Sequence, residues 1–299
     1  MSPRPRTIDV PVRGGALRVA VWDPDPDAQP PTALLVHGVT SSHLAWRFAA
    51  DELPDVRLIA PDLRGRGASR AVRGAAGMAA HADDLAAALD ALGIERTLVV
   101  GHSMGAFVAL VFAQRHPERV SRLLLVDGGL PLDVPEGLDP DALVSSILGP
   151  TAARLSLRFD DAAAYLDFWR AHPAFAGDWS PELEDYLAYD LVPDGAGALR
   201  PATSYETVVA DTIDMNTTTV VADALAALRH PTRLLSVPRG LQDEEPGLYA
   251  ASRLPGLQAA HPGIRFERVD GFNHYTVVMS AAGGRRVAGV IREELAGGS

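Results

Sequence analysis

Alternating apolar and polar positions open the chain. TIDVPV (7–12) and ALRVAVWD (16–23) alternate on either side of a Gly-Gly turn, which predicts a hairpin. After the polar, proline-rich DPDPDAQPP (23–31), the pattern changes. TALLVHG (32–38), VRLIAPDL (56–63), RTLVVGHS (96–103) and RLLLVDGG (122–129) are continuous apolar runs, as in strands buried on both faces. Between them SHLAWRFAADEL (42–53), AAHADDLAAALDALG (79–93) and MGAFVALVFAQRHPERV (104–120) carry helical spacing, with stops at Gly93 and near Pro117. Strands alternating with helices imply a mostly parallel sheet covered by helices on both faces.

The rhythm breaks at residues 131–217, which show helical patches, no apolar strand run, and a large share of the aromatic residues. It resumes with VVADALAALR (220–229), RLLSVPRG (233–240), LYAASRLPGLQAA (248–260), IRFERVDGF (264–272) and RRVAGVIREEL (285–295). The expected organisation is one α/β core, residues 1–130 and 218–299, with 131–217 inserted as a helical cap.

Composition narrows the function classes. The 299-residue chain has a net charge of −11, so nucleic acid and anionic membrane surface are not expected partners. It has no cysteine and no lysine, which excludes disulfides, thiolate chemistry and a Schiff-base lysine. MSPRPRTIDV lacks the apolar stretch of a signal peptide, and no segment approaches a membrane span, so the cytoplasm is the expected address.

One motif carries chemistry. LVVGHSMGA contains G-x-S-x-G as Gly101, His102, Ser103, Met104 and Gly105, with an apolar run before it and an apolar helix after it. A serine on a tight strand-to-helix turn needs small neighbours. That turn raises the Ser103 hydroxyl above the sheet edge and aims the Met104 N–H at the place where an oxyanion would form.

With these residues the chain resembles the α/β-hydrolase family over nearly its whole length, which implies an eight-stranded sheet. LLVHGVTSS resembles the family's third strand and oxyanion loop; the likeness implies that His37 and Gly38 shape the turn and that Val39 supplies a second backbone N–H. APDLRGRGAS (60–69) resembles the loop after the fourth strand, where Arg64 and Arg66 read as supports of a solvated turn.

Nine histidines are available as a base. His116, His172, His230 and His261 precede prolines, His81 lies in a helix and His102 is locked in the elbow. His274, in VDGFNHYTVV after the last strand, is where the family keeps its base, although Asn273 stands where the family usually has glycine. The family places the third residue in one of two loops. Asp243 lies three residues after Gly240 and is preferred. Asp127, 24 positions after Ser103 at the end of RLLLVDGG, is the alternative. Glu244 and Glu245 read as solvated.

The resemblance implies acyl transfer through a Ser-His-Asp triad, with no metal and no cofactor. The expected substrate is a medium-sized apolar small-molecule ester or lactone. His43, Trp46, Trp169, Trp179 and Tyr189 are the expected pocket residues. C–C bond hydrolysis or perhydrolysis on the same triad stays open, as does a non-catalytic small-molecule receptor. The oligomeric state is open, with a homodimer admitted.

Overall fold

The structure is a computed structural model that describes residues 5–24, 29–135 and 137–297. Its strands in chain order are β1 (Arg6–Val12), β2 (Gly15–Trp22), β3 (Thr32–Val36), β4 (Arg57–Pro61), β5 (Thr97–His102), β6 (Val120–Val126), β7 (Leu191–Pro193), β8 (Leu199–Pro201), β9 (Thr232–Ser236) and β10 (Ile264–Arg268). Eight form one sheet in the order β1-β2-β4-β3-β5-β6-β9-β10. The β1–β2 and β2–β4 pairs are antiparallel, and the remaining pairs are parallel. The sequence pattern anticipated this sheet. Alternation belongs to the edge hairpin, and the continuous apolar runs belong to strands covered on both sides.

Helices Met78–Ala91, Met104–Arg115 and Val220–Ala226 pack together as one layer, while Arg47–Asp51 packs against Ala281–Ala296 in the other. Met104–Arg115 is apolar nearly all round, and 10 of its 12 residues are buried. Such a helix is stable only inside a core. It stops at His116, whose φ of −130° and ψ of 58° follow from the clash that Pro117 imposes on an α-helical predecessor. Helix Met78–Ala91 stops as its glycine implies. Gly93 takes φ +65°, Ile94 N–H donates to the Leu89 carbonyl at 2.9 Å, and Gly93 N–H donates to that of Asp90 at 3.1 Å. That arrangement satisfies two of the carbonyls the helix end leaves open.

Two local expectations differ from what is observed. The helix expected over 248–260 covers only Leu254–Ala260. Tyr249 is buried instead in the approach loop, where its hydroxyl exchanges hydrogen bonds with the Leu130 N–H and carbonyl at 3.0 Å each. Residues 131–217 add no strand to the large sheet, but they hold the short antiparallel pair β7–β8 besides their helices.

Candidate active site

Three side chains meet above the carboxyl ends of β5 and β6. Ser103 follows β5 directly with φ +54°. A Cβ on Gly101 would lie 2.2 Å from the Gly105 carbonyl oxygen, and one on Gly105 would lie 2.1 Å from that of Val36. Both positions therefore require glycine. In the parallel register His102 pairs with Val126, so the next residues, Ser103 and Asp127, emerge side by side.

His274 arrives from the loop after β10. Its Nδ1 lies 2.7 Å from Asp127 Oδ2, and its Nε2 lies 3.0 Å from Ser103 Oγ. A carboxylate only accepts, so Nδ1 carries the proton and Nε2 is left to accept from the serine hydroxyl. The imidazole is buried while Ser103 remains partly exposed. The backbone of His274 is held at both ends. Its N–H donates to the Arg239 carbonyl at 3.0 Å, and its carbonyl accepts from His102 Nε2 at 2.8 Å. The elbow histidine thus anchors the His274 loop, a link for which the sequence carried no signal. Burial, helped by the neighbouring His274, keeps His102 well below its usual pKa.

The preferred acid is corrected. Asp243 does not contact His274: Arg239 Nη1 donates to it at 2.7 Å and Asn273 Nδ2 donates to it at 2.8 Å. The reason is the length of the segment. β9 ends at Ser236, and residues 238–247 then form a closed excursion, with Gly247 N–H donating to the Pro238 carbonyl at 2.8 Å and Gly240 N–H to that of Glu244 at 2.8 Å. The excursion carries Asp243 away, whereas Asp127 leaves β6 one residue past its last paired position, with φ +45°. Asp243 instead supports the loop at one remove. Asn273, which bonds it, also accepts from the N–H groups of Tyr275 and Thr276 at 3.0 and 2.9 Å. That Asx turn does the shaping for which the family uses glycine. Glu244 and Glu245 are exposed, as expected.

Val39 and Met104 are both buried beside Ser103. Met104 N–H is the first of its helix and has no intrahelical acceptor. The Val39 N–H is oriented by His37. Leu63 N–H donates to His37 Nε2 at 2.9 Å, so Nδ1 bears the proton that bonds the Gly38 carbonyl at 2.8 Å. A trans peptide points its N–H opposite its C=O, so this bond directs Val39 N–H the other way. Burial pushes the His37 pKa down to about 4, which keeps the ring in that single neutral tautomer at neutral pH.

The strand order agrees with what known proteins share with this chain. The family model described as the alpha/beta hydrolase fold matches residues 31–177. Lipase LipV of Mycobacterium tuberculosis is 37% identical over 128 residues, 42% of this chain and 49% of that protein. The 2-hydroxymuconate semialdehyde hydrolase of a Pseudomonas species is 38% identical over 112 residues, 36% of this chain and 40% of that protein. The chain spans about a third to a half of the length of the curated relatives it matches. The crystal structure of E-2-(acetamidomethylene)succinate hydrolase superposes with a TM-score of 0.77 over 96% of this chain and 100% of that one, at 20% identity, which shows a shared fold. The chain has the α/β-hydrolase fold.

The core meets the inserted segment at several cavities. One of about 10 Å³ lies between Ser41 and Tyr275 of the core and Trp169, Phe175, Tyr186 and Arg154 of the insertion. Of the expected pocket residues, Trp169 lines this cavity, which Ser103 and His274 do not border. Arg154 was missed, and its charge is paired with Asp190 at 2.5 Å. His43 and Tyr189 line a different cavity of about 360 Å³, with Trp22 and Arg18. Trp46 is buried in the core and borders neither of these, while Trp179, whose Nε1 donates to Glu184 at 2.7 Å, lines a third cavity of about 390 Å³ with Phe48 and Asp178. The sequence could place aromatics on a helix face, but not say which cavity each would reach. Among the described residues no helix is long and apolar enough to cross a membrane.

Proposed function

We propose that this protein is a serine hydrolase that cleaves a carboxylic ester or lactone of a medium-sized small molecule through an acyl-enzyme. The observation that carries the reading is the hydrogen-bonded series Ser103–His274–Asp127 set on a strained elbow. His274 Nε2 takes the hydroxyl proton as Ser103 Oγ attacks the carbonyl carbon. Asp127 stabilises the imidazolium that forms. The N–H groups of Val39 and Met104 hold the tetrahedral oxyanion. Collapse expels the alcohol, which takes the proton from His274, and water enters by the same route in reverse to release the acid.

The acyl group would lie beneath the inserted segment, against Trp169, Phe175, Tyr186 and Tyr275. A cavity of about 10 Å³ has room for one water, so entry requires the insertion to shift away from Ser41 and Tyr275. Cleavage of a C–C bond beside a carbonyl is the second reading. It is favoured by the likeness to a semialdehyde hydrolase and needs the same three residues.

A fluorophosphonate label followed by peptide mapping tests the nucleophile, and it should mark Ser103 alone. Parallel panels of nitrophenyl esters, lactones and vinylogous 1,5-diketones then separate the readings. Rapid ester turnover with inert diketones supports the first. The reverse pattern supports the second, and no labelling at Ser103 would sink both.

A further inference from the structure

The two proposed oxyanion donors come from different elements, and their N–H groups converge only if loop 37–42 and the start of helix Met104–Arg115 are held to one another. Arg66 touches both. Its side chain is fully buried. Nε donates to the Val39 carbonyl at 2.8 Å, Nη1 donates to the Arg64 carbonyl at 3.0 Å, and Nη2 lies 3.8 Å from Met104 Sδ. The sequence pattern suggested a solvated arginine turn here. The observed residue is the opposite, a guanidinium taken wholly out of water. Such a group is tolerated only with a buried counter-charge.

That counter-charge comes from the insertion. Asp211, on helix Tyr205–Thr217, lies 2.6 Å from Arg66 Nη1 and is itself fully buried. It also accepts from Gly77 N–H at 2.6 Å and from His81 Nε2 at 3.0 Å. Its carboxyl is held far below the usual range: His81 and Arg66 outweigh the burial that would otherwise raise it. The helix is therefore fastened to the core through the same arginine that fastens the Val39 carbonyl.

The peptide units around Val39 are bracketed. The carbonyl before Val39 N–H is held by His37, and the carbonyl after it by Arg66. Fixing both planes fixes the direction of the N–H between them. A Leu or Met at 66 could fill the volume but could not bond the Val39 carbonyl.

We propose that Arg66 is a positioning residue for the oxyanion hole, and that its ion pair with Asp211 makes the hole complete only when helix Tyr205–Thr217 is docked. This rests on the reading of Val39 and Met104 as the oxyanion donors.

The test uses the full chain and its Arg66→Met and Asp211→Asn variants, assayed with a nitrophenyl ester and with the fluorophosphonate, each with a thermal melt. The expected result for both variants is a kcat lowered about 10- to 100-fold with KM within about twofold, since misplaced donors weaken the transition state and not ground-state binding. The fluorophosphonate inactivation rate should fall by the same factor, because it too develops charge on an oxygen in the hole. Should Arg66→Met fail to fold, the near-isosteric Asp211→Asn carries the test. Wild-type kcat in a folded variant, or a rise in KM with an unchanged inactivation rate, would overturn the proposal. Labelling away from Ser103 in the parent would overturn the underlying reading and this one together; labelling at Ser103 with unaltered variant rates would overturn this one alone.

Discussion

Two buried histidines in this fold sit against carboxylates that follow strand ends. His274 Nδ1 lies 2.7 Å from Asp127, just after β6, and His43 Nδ1 lies 2.8 Å from Asp62, just after β4. Both carboxylates are completely buried. By distance alone the pairs are interchangeable. They differ in what surrounds them. Asp62 is saturated, accepting also from His43 N–H at 2.8 Å, Ala68 N–H at 2.9 Å and the Tyr189 hydroxyl at 2.7 Å. Burial works to raise its pKa, but His43 and these bonds win and hold it at about 2. It clamps β4, the oxyanion-loop extension and the insertion together. Among the described residues Asp127 makes a single further bond, from Val237 N–H at 3.3 Å, and its histidine has a serine hydroxyl on the other nitrogen. A His-Asp pair becomes a base only where a nucleophile is held against its free nitrogen.

The sharpest way to break the comparison is to remove that nucleophile. Ser103→Ala should lower ester turnover by about 10⁶-fold, with a far-UV spectrum and melt like the parent's; substantial residual turnover would make the two pairs equivalent again. Next, Asp127→Asn should cost about 10⁴-fold in kcat by favouring the wrong tautomer. Asp243→Asn, which loosens a loop at one remove, should stay near the parent, and a larger loss at 243 than at 127 would reverse the assignment.

A smaller effect is expected in stability. His37 is buried neutral with its pKa at about 4, below the usual 6.5, so the unfolded chain binds the proton first as pH falls. Its contribution is complete above pH 6.5 and shrinks between 6.5 and 4, by about 3 kcal/mol in all. Melts taken from pH 7 to pH 4.5 should show the decline, and it should be shallower in His37→Asn. The smallest expected effect is in the clamp. Asp62→Asn should lower stability by about 1–3 kcal/mol while kcat falls far less than in Asp127→Asn. Equal losses of turnover at 62 and 127 would show that the clamp also takes part in the chemistry.

The elements that local chemistry dictates were legible: the edge hairpin from its alternation, the central strands from their unbroken apolar runs, the Gly93 stop, and the Gly-x-Ser-x-Gly elbow, whose glycines have no room for a Cβ. His274 was placed from a family likeness, and the loop that delivers it proved to be shaped by Asn273. The pocket was only partly readable. Helical spacing puts Trp169 and Tyr165 on one face, but it does not say that Arg154 and Asp190 share their cavity or that Trp46 is sealed in the core.

Residue order alone settled which segments become strands, which become helices and where the sharp turn carrying Ser103 lies, because those depend on neighbours within a few positions. The choice between Asp127 and Asp243 depended on something no spacing records: β6 pairs with β5 in a register that brings residues 103 and 127 out together, while the excursion after β9 turns 243 toward Arg239. The burial of Arg66 was equally unreadable, since its partner Asp211 lies 145 positions away and reaches it only once the insertion folds back over the core. Long-range register and docking are set by the packing of whole layers, and a short stretch of sequence carries no trace of them.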